Sequence, residues 1–154
     1  MQIRVATSAD ALAVETVRIT SWRTAYRGMV PDGYLDALVV DAERRAARMA
    51  EEGLTVLLAT EGDAPVGMAA HGPCRDPDRP GLPELYALYV LPEAWRTGVG
   101  SALLAAAGDV RSLWVLEANA RARAFYERHG FRADGVTKEL DLGGPVTELR
   151  MLLG

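Results

Sequence analysis

Residues 84–107 constrain the fold of this chain more than any other stretch, because they combine a strand, a glycine loop and a helix without interruption. The apolar and aromatic run 84–91 begins with a single charge and predicts a strand that is covered on both faces. Pro92 ends that strand. Gly98 and Gly100 are followed at once by small and apolar residues of high helix propensity, so a helix is predicted to begin at the glycines.

A helix that begins at a glycine loop can bind a phosphate group. Its first N–H groups have no partner within the helix and carry partial positive charge, and glycines let an anion approach closely. A P-loop is excluded because Ser101 and Ala102, and no Lys, follow Gly100. A dinucleotide fingerprint matches poorly because Leu103 stands where a third glycine belongs. An ordinary strand-to-helix turn with glycine caps remains the alternative to a phosphate site.

Length and charge limit the classes of partner. The 154 residues fit one domain with a hydrophobic core, and a net charge of -4 argues against nucleic acid or an anionic membrane as the main partner. Cys74 is the only cysteine, so no internal disulfide can form, and no metal site is predicted. No stretch approaches the ~20 apolar residues of a membrane span, so a cytoplasmic location is expected.

The remaining elements are predicted from periodicity, caps and turn residues. In chain order they are a strand at 2–6, a helix from Asp10 to about Tyr26, a short helix from Pro31, a third helix from Asp41 to Glu52, hairpin strands at 54–60 and 65–71, a proline-rich loop at 72–83, a strand at 110–117, a helix at 118–130 and a final hairpin of strands at 131–140 and 146–153. Asn119 is expected near the N-cap of the last helix.

Two separated motifs resemble those of the GCN5-related N-acetyltransferase (GNAT) family. The first is the apolar strand, the Pro-containing link 92–94 and the glycines at 98 and 100, with Trp95 at the position where the family carries Arg or Gln. The second is Asn119 followed by Phe-Tyr-Glu at 125–127 and Gly-Phe at 130–131. The resemblance covers almost the whole chain. It implies one α/β (α+β) domain over residues 1–154, with a mixed, mostly antiparallel seven-stranded sheet flanked by helices.

The resemblance implies transfer of an acetyl group from acetyl-CoA, the cosubstrate, to an amine of a small molecule or peptide by direct attack. Backbone N–H groups of the glycine loop are then expected to hold the pyrophosphate, and main-chain groups of the strand are expected to hold the pantetheine arm and the acetyl carbonyl. Asn119 would contact the same arm. The residues implied in cofactor binding are Leu88, Val90, Arg96, Gly98, Val99, Gly100, Ser101 and Asn119.

The same resemblance assigns Tyr126 as the general acid that protonates the departing thiolate. An alkyl ammonium must lose a proton before attack, and Glu84 at the start of the central strand is the first candidate for the base, with His71 or water as alternatives. Trp22 and Tyr26 lie one helical turn apart and could line a pocket for the amine or pack in the core.

Two other functions remain open at this point. One is transfer of a different acyl group, or transfer to a different nucleophile, and the other is a regulatory module that binds acyl-CoA without catalysis. The acceptor amine is not specified. The resemblance also allows a homodimer through the terminal strands.

Overall fold

The computed structural model describes residues 1–154, and its elements follow the predicted order. They are β1 (Gln2–Val5), α1 (Ala11–Ala25), α2 (Asp32–Ala37), α3 (Ala42–Met49), β2 (Thr55–Glu61), β3 (Ala64–Pro73), β4 (Pro83–Val90), α4 (Val99–Ala106), β5 (Ser112–Leu116), α5 (Ala120–Arg128), β6 (Phe131–Asp141) and β7 (Pro145–Leu153). The third helix ends at Met49 rather than at Glu52, because a turn closing at Gly53 with φ of 82° follows it. None of the helices combines the length and the apolar character needed to cross a bilayer.

All seven strands form one sheet in the order β1-β2-β3-β4-β5-β7-β6. Strands β4 and β5 are parallel, because α4 carries the chain back across the sheet between them, and every other neighbouring pair is antiparallel. The predicted mixed, mostly antiparallel seven-stranded sheet is confirmed.

Helices cover both faces of the sheet, and each face has its own apolar core. On one face, α4 and α5 pack over a cluster that includes the fully buried Leu103, Leu113 and Met151. On the other face, α1 packs over a cluster that includes Val14 and Met68. Each such side chain contributes about 1.5–3 kcal/mol through its burial, so the two cores hold the sheet between fixed layers.

A β-bulge in β4 separates this strand from β5. Strand β3 pairs Ala70 with Ala87 but His71 with Leu85, so Tyr86 is an extra residue without a partner. Bulges bend a strand and increase its twist. Pairing of β4 with β5 accordingly stops at Leu85, although β4 runs on to Val90. From the bulge onward, the backbone of β4 forms an open edge in the middle of the sheet.

Candidate active site

The glycine loop presents free backbone donors. Gly98 is the N-cap of α4 with φ of 89°, a left-handed conformation that glycine adopts without strain, and no side chain caps the helix there. A Cβ added at Gly98 would meet no atom within 4 Å, so the space beside it is open. The N–H groups of Val99, Gly100 and Ser101 are the first of the helix and have no intrahelical partner. Together they form a site for an anion.

A cavity of about 320 Å³ lies between this loop, the end of β4 and α5, and we call it the glycine-loop cavity. Its lining residues are Leu88, Val90, Ala94, Trp95, Arg96, Gly98, Gly100, Ser101, Arg121, Ala122, Ala124, Phe125, Tyr126 and Arg128. Six of the eight residues predicted to bind the cofactor therefore line one cavity.

Three arginines give the glycine-loop cavity a positive charge that no protein carboxylate balances. Arg96, Arg121 and Arg128 line it, and none of them forms an ion pair or a hydrogen bond within the chain. Burial lowers the pKa of Arg121, and the charge of Arg96 nearby lowers it further. Since the chain has 21 acidic and 17 basic residues, this local excess is not a consequence of composition. It favours a polyanionic ligand.

The open edge of β4 directs backbone groups toward the same space. The Leu91 N–H donates to the Val66 carbonyl at 2.8 Å, which makes Val90 and Gly67 a non-hydrogen-bonded pair of the β3–β4 ladder. The N–H and carbonyl of Val90 therefore point away from β3 and into the gap. The alternation of antiparallel pairing directs the N–H and carbonyl of Leu88 the same way.

A second cavity of about 260 Å³ lies on the α1 side of the gap, and we call it the aromatic cavity. Its lining residues are Ser21, Trp22, Ala25, Tyr26, the β4 residues 85–90, the β5 residues 113–116, Asn119, Arg121, Ala122, Tyr126, Leu140, Leu142 and Glu148. The two cavities share Leu88, Val90, Arg121, Ala122 and Tyr126, so they meet at the end of β4.

Tyr126 lies at this junction. Its side chain is 7% exposed and is held by edge-to-face contacts with Phe125 and Phe131, at ring centroid distances of 5.2 and 6.0 Å. Burial raises the pKa of Tyr126 well above the usual value near 10, and the neighbouring Tyr89 raises it further. The phenol is therefore protonated at neutral pH and can act as a hydrogen-bond donor where the cavities meet.

Trp22 and Tyr26 both line the aromatic cavity, where their rings make an edge-to-face contact at 5.0 Å. The indole Nε1 of Trp22 and the Oγ of Ser21 are buried there and have no hydrogen-bond partner. The predicted pair thus forms a wall of the aromatic cavity, and two residues of that wall, Ser21 and Trp22, have donors without a hydrogen-bond partner. The pKa of Tyr26 is raised, mainly because the side chain is buried.

Glu84 does not line either cavity, contrary to the expectation that it acts at the site. It is 1% exposed, and its carboxylate accepts hydrogen bonds from the Arg75 backbone N–H at 2.9 Å and from the Arg75 guanidinium at 2.8 Å. The loop at residues 74–82 folds back over the start of β4 and occupies both oxygens. His71 also lies outside both cavities, and partial burial lowers its pKa.

Glu148 is the one carboxylate that lines the aromatic cavity, and it is not among the site residues predicted from the sequence. It lies on β7 opposite Leu116 of β5 and Lys138 of β6. Burial raises its pKa, while Lys138, whose Nζ lies 3.8 Å from Oε1, opposes this effect. The available signal was a single acidic residue within the largely apolar strand 146–153. Acidic side chains are seldom buried without a partner or a function.

Asn119 caps α5 as predicted, since its Oδ1 accepts a hydrogen bond from the Ala122 N–H at 3.2 Å. Its side chain is largely buried and lines the aromatic cavity rather than the glycine-loop cavity. The amide Nδ2 remains available to donate to a ligand there. Val99, the other predicted binding residue outside the glycine-loop cavity, packs its side chain in the core and offers only its backbone.

Comparison with known proteins identifies the family. The model of the acetyltransferase (GNAT) domain matches residues 52–133, which include β4, the glycine loop and α5. The chain belongs to this family. The uncharacterized N-acetyltransferase YuaI of Bacillus subtilis is 31% identical to this GNAT domain, over 98% of the chain and 97% of the relative.

Solved structures agree with this GNAT assignment. The ribosomal-protein-alanine N-acetyltransferase of Brucella melitensis is 26% identical and superposes with a TM-score of 0.74 over 98% of both chains. The PaiA N-acetyltransferase of Thermoplasma acidophilum, whose structure contains coenzyme A, shares the fold with a TM-score of 0.73, 20% identity and coverage of 97% of this chain and 98% of that one. The predicted GNAT fold and the class of acetyl-CoA-dependent N-acetyltransferase are confirmed.

Proposed function

We propose that this GNAT domain binds acetyl-CoA in the glycine-loop cavity and transfers the acetyl group to the amine of a small molecule or peptide in the aromatic cavity. The observation that carries the proposal is the junction of the two cavities. The inward-pointing backbone of Val90 and the protonated phenol of Tyr126 both lie at that junction.

The phosphates of the cofactor have two kinds of donor in the glycine-loop cavity. The N–H groups of residues 98–101 at the start of α4 offer short-range hydrogen bonds and the positive end of the helix dipole. Arg96, Arg121 and Arg128 offer the charge that these phosphates require. Coenzyme A is a polyanion, so its phosphates would neutralise arginines that no protein carboxylate pairs.

The open edge of β4 is available to bind the pantetheine arm of the cofactor. The amides of this arm can pair with the N–H and carbonyl of Leu88 as an added strand would, because β5 has already separated from β4 at this point. Asn119 offers its amide Nδ2 on the other wall of the gap. The acetyl carbonyl would then accept a hydrogen bond from the Val90 N–H, which stabilises the negative charge that forms on that oxygen during attack.

In the reaction, the lone pair of a neutral amine attacks the thioester carbon and a C–N bond forms. The tetrahedral intermediate collapses, the C–S bond breaks and its electron pair passes to sulfur. Tyr126 donates its proton to that sulfur, and the phenolate recovers a proton from the nitrogen of the intermediate. We do not propose Glu84 as the group that deprotonates the incoming ammonium, because it lines neither cavity and both of its carboxylate oxygens accept hydrogen bonds from Arg75.

Two further expectations stay predictions. A cytoplasmic location agrees with the single free thiol of Cys74, since reducing compartments keep thiols free. A homodimer stays an alternative to a monomer, and the edge strands β1 and β6 are the surfaces that would form it.

A thiol-release assay tests the proposed function. The purified chain is incubated with acetyl-CoA and a panel of primary amines, amino acids, peptides and polyamines, and free coenzyme A is measured. We expect amine-dependent release that saturates with both substrates. Calorimetric binding of acetyl-CoA with no release in the presence of any amine would instead identify an acyl-CoA-binding module. Release only with a longer acyl-CoA would identify a different acyltransferase.

A further inference from the structure

We infer that Glu148 is the group that takes the proton from the acceptor, and that the acceptor is a compact monoamine with an aromatic or apolar body. This inference rests on the proposed acetyl transfer. It ranks polyamines and protein lysines below such a monoamine as acceptors.

The position of Glu148 follows from strand register. Strand β5 leaves β4 at Leu113 and runs along the far side of the gap to Leu116. Glu148 of β7 lies directly opposite Leu116, and its carboxylate faces the aromatic cavity. An ammonium held in this cavity therefore has one carboxylate on its wall, and that carboxylate could accept its proton directly or through water.

The charged groups around Glu148 come from several elements. Lys138 of β6, at 3.8 Å, and Arg75 of the loop at residues 74–82 favour the ionised carboxylate, whereas Glu84 of β4 disfavours it. The charge of Glu148 in turn contributes to raising the pKa of Tyr26, which follows α1, and that of Tyr89 of β4. Burial outweighs the cations and raises the pKa of Glu148, which makes its carboxylate a stronger base than a solvated one.

The walls of the aromatic cavity suit an aromatic or apolar body. Trp22, Tyr26 and Trp114 supply flat apolar surfaces, and Leu140 and Leu142 close the side formed by the last hairpin. Ser21 and Trp22 line this cavity, and the Ser21 hydroxyl and the Trp22 indole N–H have no hydrogen-bond partner, so each could donate to an oxygen on the acceptor body. A hydroxylated arylalkylamine meets both requirements.

Size and charge favour a compact acceptor over a larger one. The volume of about 260 Å³ is below the ~300–1,000 Å³ typical of sites for drug-sized ligands. A polyamine would bring a second ammonium into a cavity that has Lys138 beside Glu148 at one place and Arg121 at the junction. No second carboxylate lines the aromatic cavity to neutralise that ammonium.

The proton balance includes both residues. The ammonium gives one proton to Glu148 and becomes the nucleophile, and the C–N bond forms. When the C–S bond breaks, sulfur takes the proton of Tyr126, and Tyr126 regains one from the nitrogen of the intermediate. Glu148 then releases its proton to solvent, so the products are the amide, coenzyme A as thiol and one proton.

The test compares acceptors and variants by thiol release with the full chain and acetyl-CoA. Tyramine, 2-phenylethylamine, spermidine and a short lysine peptide are the acceptors. We expect kcat/KM to fall in the order tyramine, 2-phenylethylamine, then the other two. Glu148→Gln is expected to lower kcat/KM for tyramine by about 100-fold at pH 7, with recovery as the pH approaches the pKa of the amine, because free amine then forms in solution.

Glu139→Gln is the matched control, since Glu139 lies on β6, is exposed and has no ion pair. It should retain full activity, and both variants should bind acetyl-CoA as the unaltered chain does. Full activity of Glu148→Gln, or a higher kcat/KM for spermidine or the peptide, would overturn this inference alone. Absence of acetylation of every amine by the unaltered chain would overturn the proposed function. The order of the acceptors is measured on the unaltered chain, so it tests the inferred class of acceptor even if the Glu148→Gln variant fails to fold.

Discussion

Trp95 donates a hydrogen bond from its indole Nε1 to the carbonyl oxygen of Val90 at 2.8 Å. Because that carbonyl points into the gap between β4 and β5, the bond satisfies it without a ligand and leaves the Val90 N–H as the free group of this residue. The guanidinium of Arg121 also lies 3.5 Å from the centre of the Trp95 ring. The residue that departs from the family pattern thus fixes both the active-site strand and an arginine of the glycine-loop cavity.

Trp95→Phe removes the donor and retains an aromatic ring under Arg121. We expect Kd for acetyl-CoA to rise about fivefold, because loss of one hydrogen bond to a partly buried carbonyl costs about 1 kcal/mol. Trp95→Ala should weaken binding further, since Arg121 then loses its platform. Titration calorimetry with acetyl-CoA checks both values. Equal affinity of the unaltered chain and both variants would show that Trp95 has no part in the cofactor site.

Tyr126→Phe keeps the ring contacts with Phe125 and Phe131 but removes the phenol at the junction. Loss of a positioned general acid lowers turnover by about 10²–10⁴-fold, so kcat should fall by that amount while Kd for acetyl-CoA stays nearly unchanged. Tyr34→Phe, a substitution outside both cavities, is the control. An equal loss of kcat and of cofactor affinity would make Tyr126 a binding residue instead.

The pKa of Tyr126 also determines the pH dependence of activity. Since burial raises this pKa above 10, the phenol stays protonated and the acid role persists into alkaline solution. An acceptor amine with a pKa of about 10.4 loses its proton over the same range. The value of kcat/KM should therefore increase with pH and show no fall between about pH 8 and 10. A descending limb centred near pH 9 would contradict the assignment.

Local signals predicted most of the fold. The glycines at 98 and 100, the turn residues of the hairpins and the cap at Asn119 each act within a few residues, so the sequence displays them directly. Helical spacing also placed Trp22 and Tyr26 on one face, and both line the aromatic cavity, although their role in binding an amine stays a prediction.

Charged residues of the site were harder to predict because their positions depend on long-range register. Glu84 and Glu148 lie in strands that are far apart in sequence, and the bulge at Tyr86 together with the fold of the loop at residues 74–82 decides which carboxylate reaches the cavity. Arg121 and Arg128 carried a local signal, since a spacing of seven places them on one helix face with Phe125. That they lack carboxylate partners is visible only in the folded chain.

Gly98→Ala tests the anion site at the start of α4. The substitution forces a residue with Cβ into a conformation with φ of 89° and places that Cβ in the open space beside the loop. Gly108→Ala at the other end of α4 is the matched control, because its φ is 79° and it also has nothing within 4 Å. Both variants should lose similar stability, about 1 kcal/mol, in chemical denaturation. Only Gly98→Ala should lose affinity for acetyl-CoA, and equal affinities would argue against phosphate binding at this loop.

Arg150 of β7 should control how firmly the loop at residues 74–82 is held over the sheet. It is 2% exposed, binds both oxygens of Asp78 at 2.8 and 2.9 Å, and binds Asp134 at 2.7 Å. Arg150→Met leaves largely buried Asp134 without its partner, and removal of one member of such a buried pair costs about 3 kcal/mol. Arg79→Met, an exposed and unpaired arginine of the same loop, is the control.

The pH dependence separates this ion pairing from simple packing. Arg150 lowers the pKa of Asp78 in the folded state, so the pair stabilises the fold above the unfolded carboxylate pKa of about 3.9 and is lost as the pH falls through the lower folded value. The difference in free energy of unfolding between the unaltered chain and Arg150→Met should therefore be largest near pH 7 and decrease below about pH 4. Urea denaturation at both pH values measures it. A difference that does not change with pH would mean that Arg150 contributes through its aliphatic stem and its contact with Trp114, whose ring centre lies 5.8 Å from the guanidinium, and not through its pairing with Asp78.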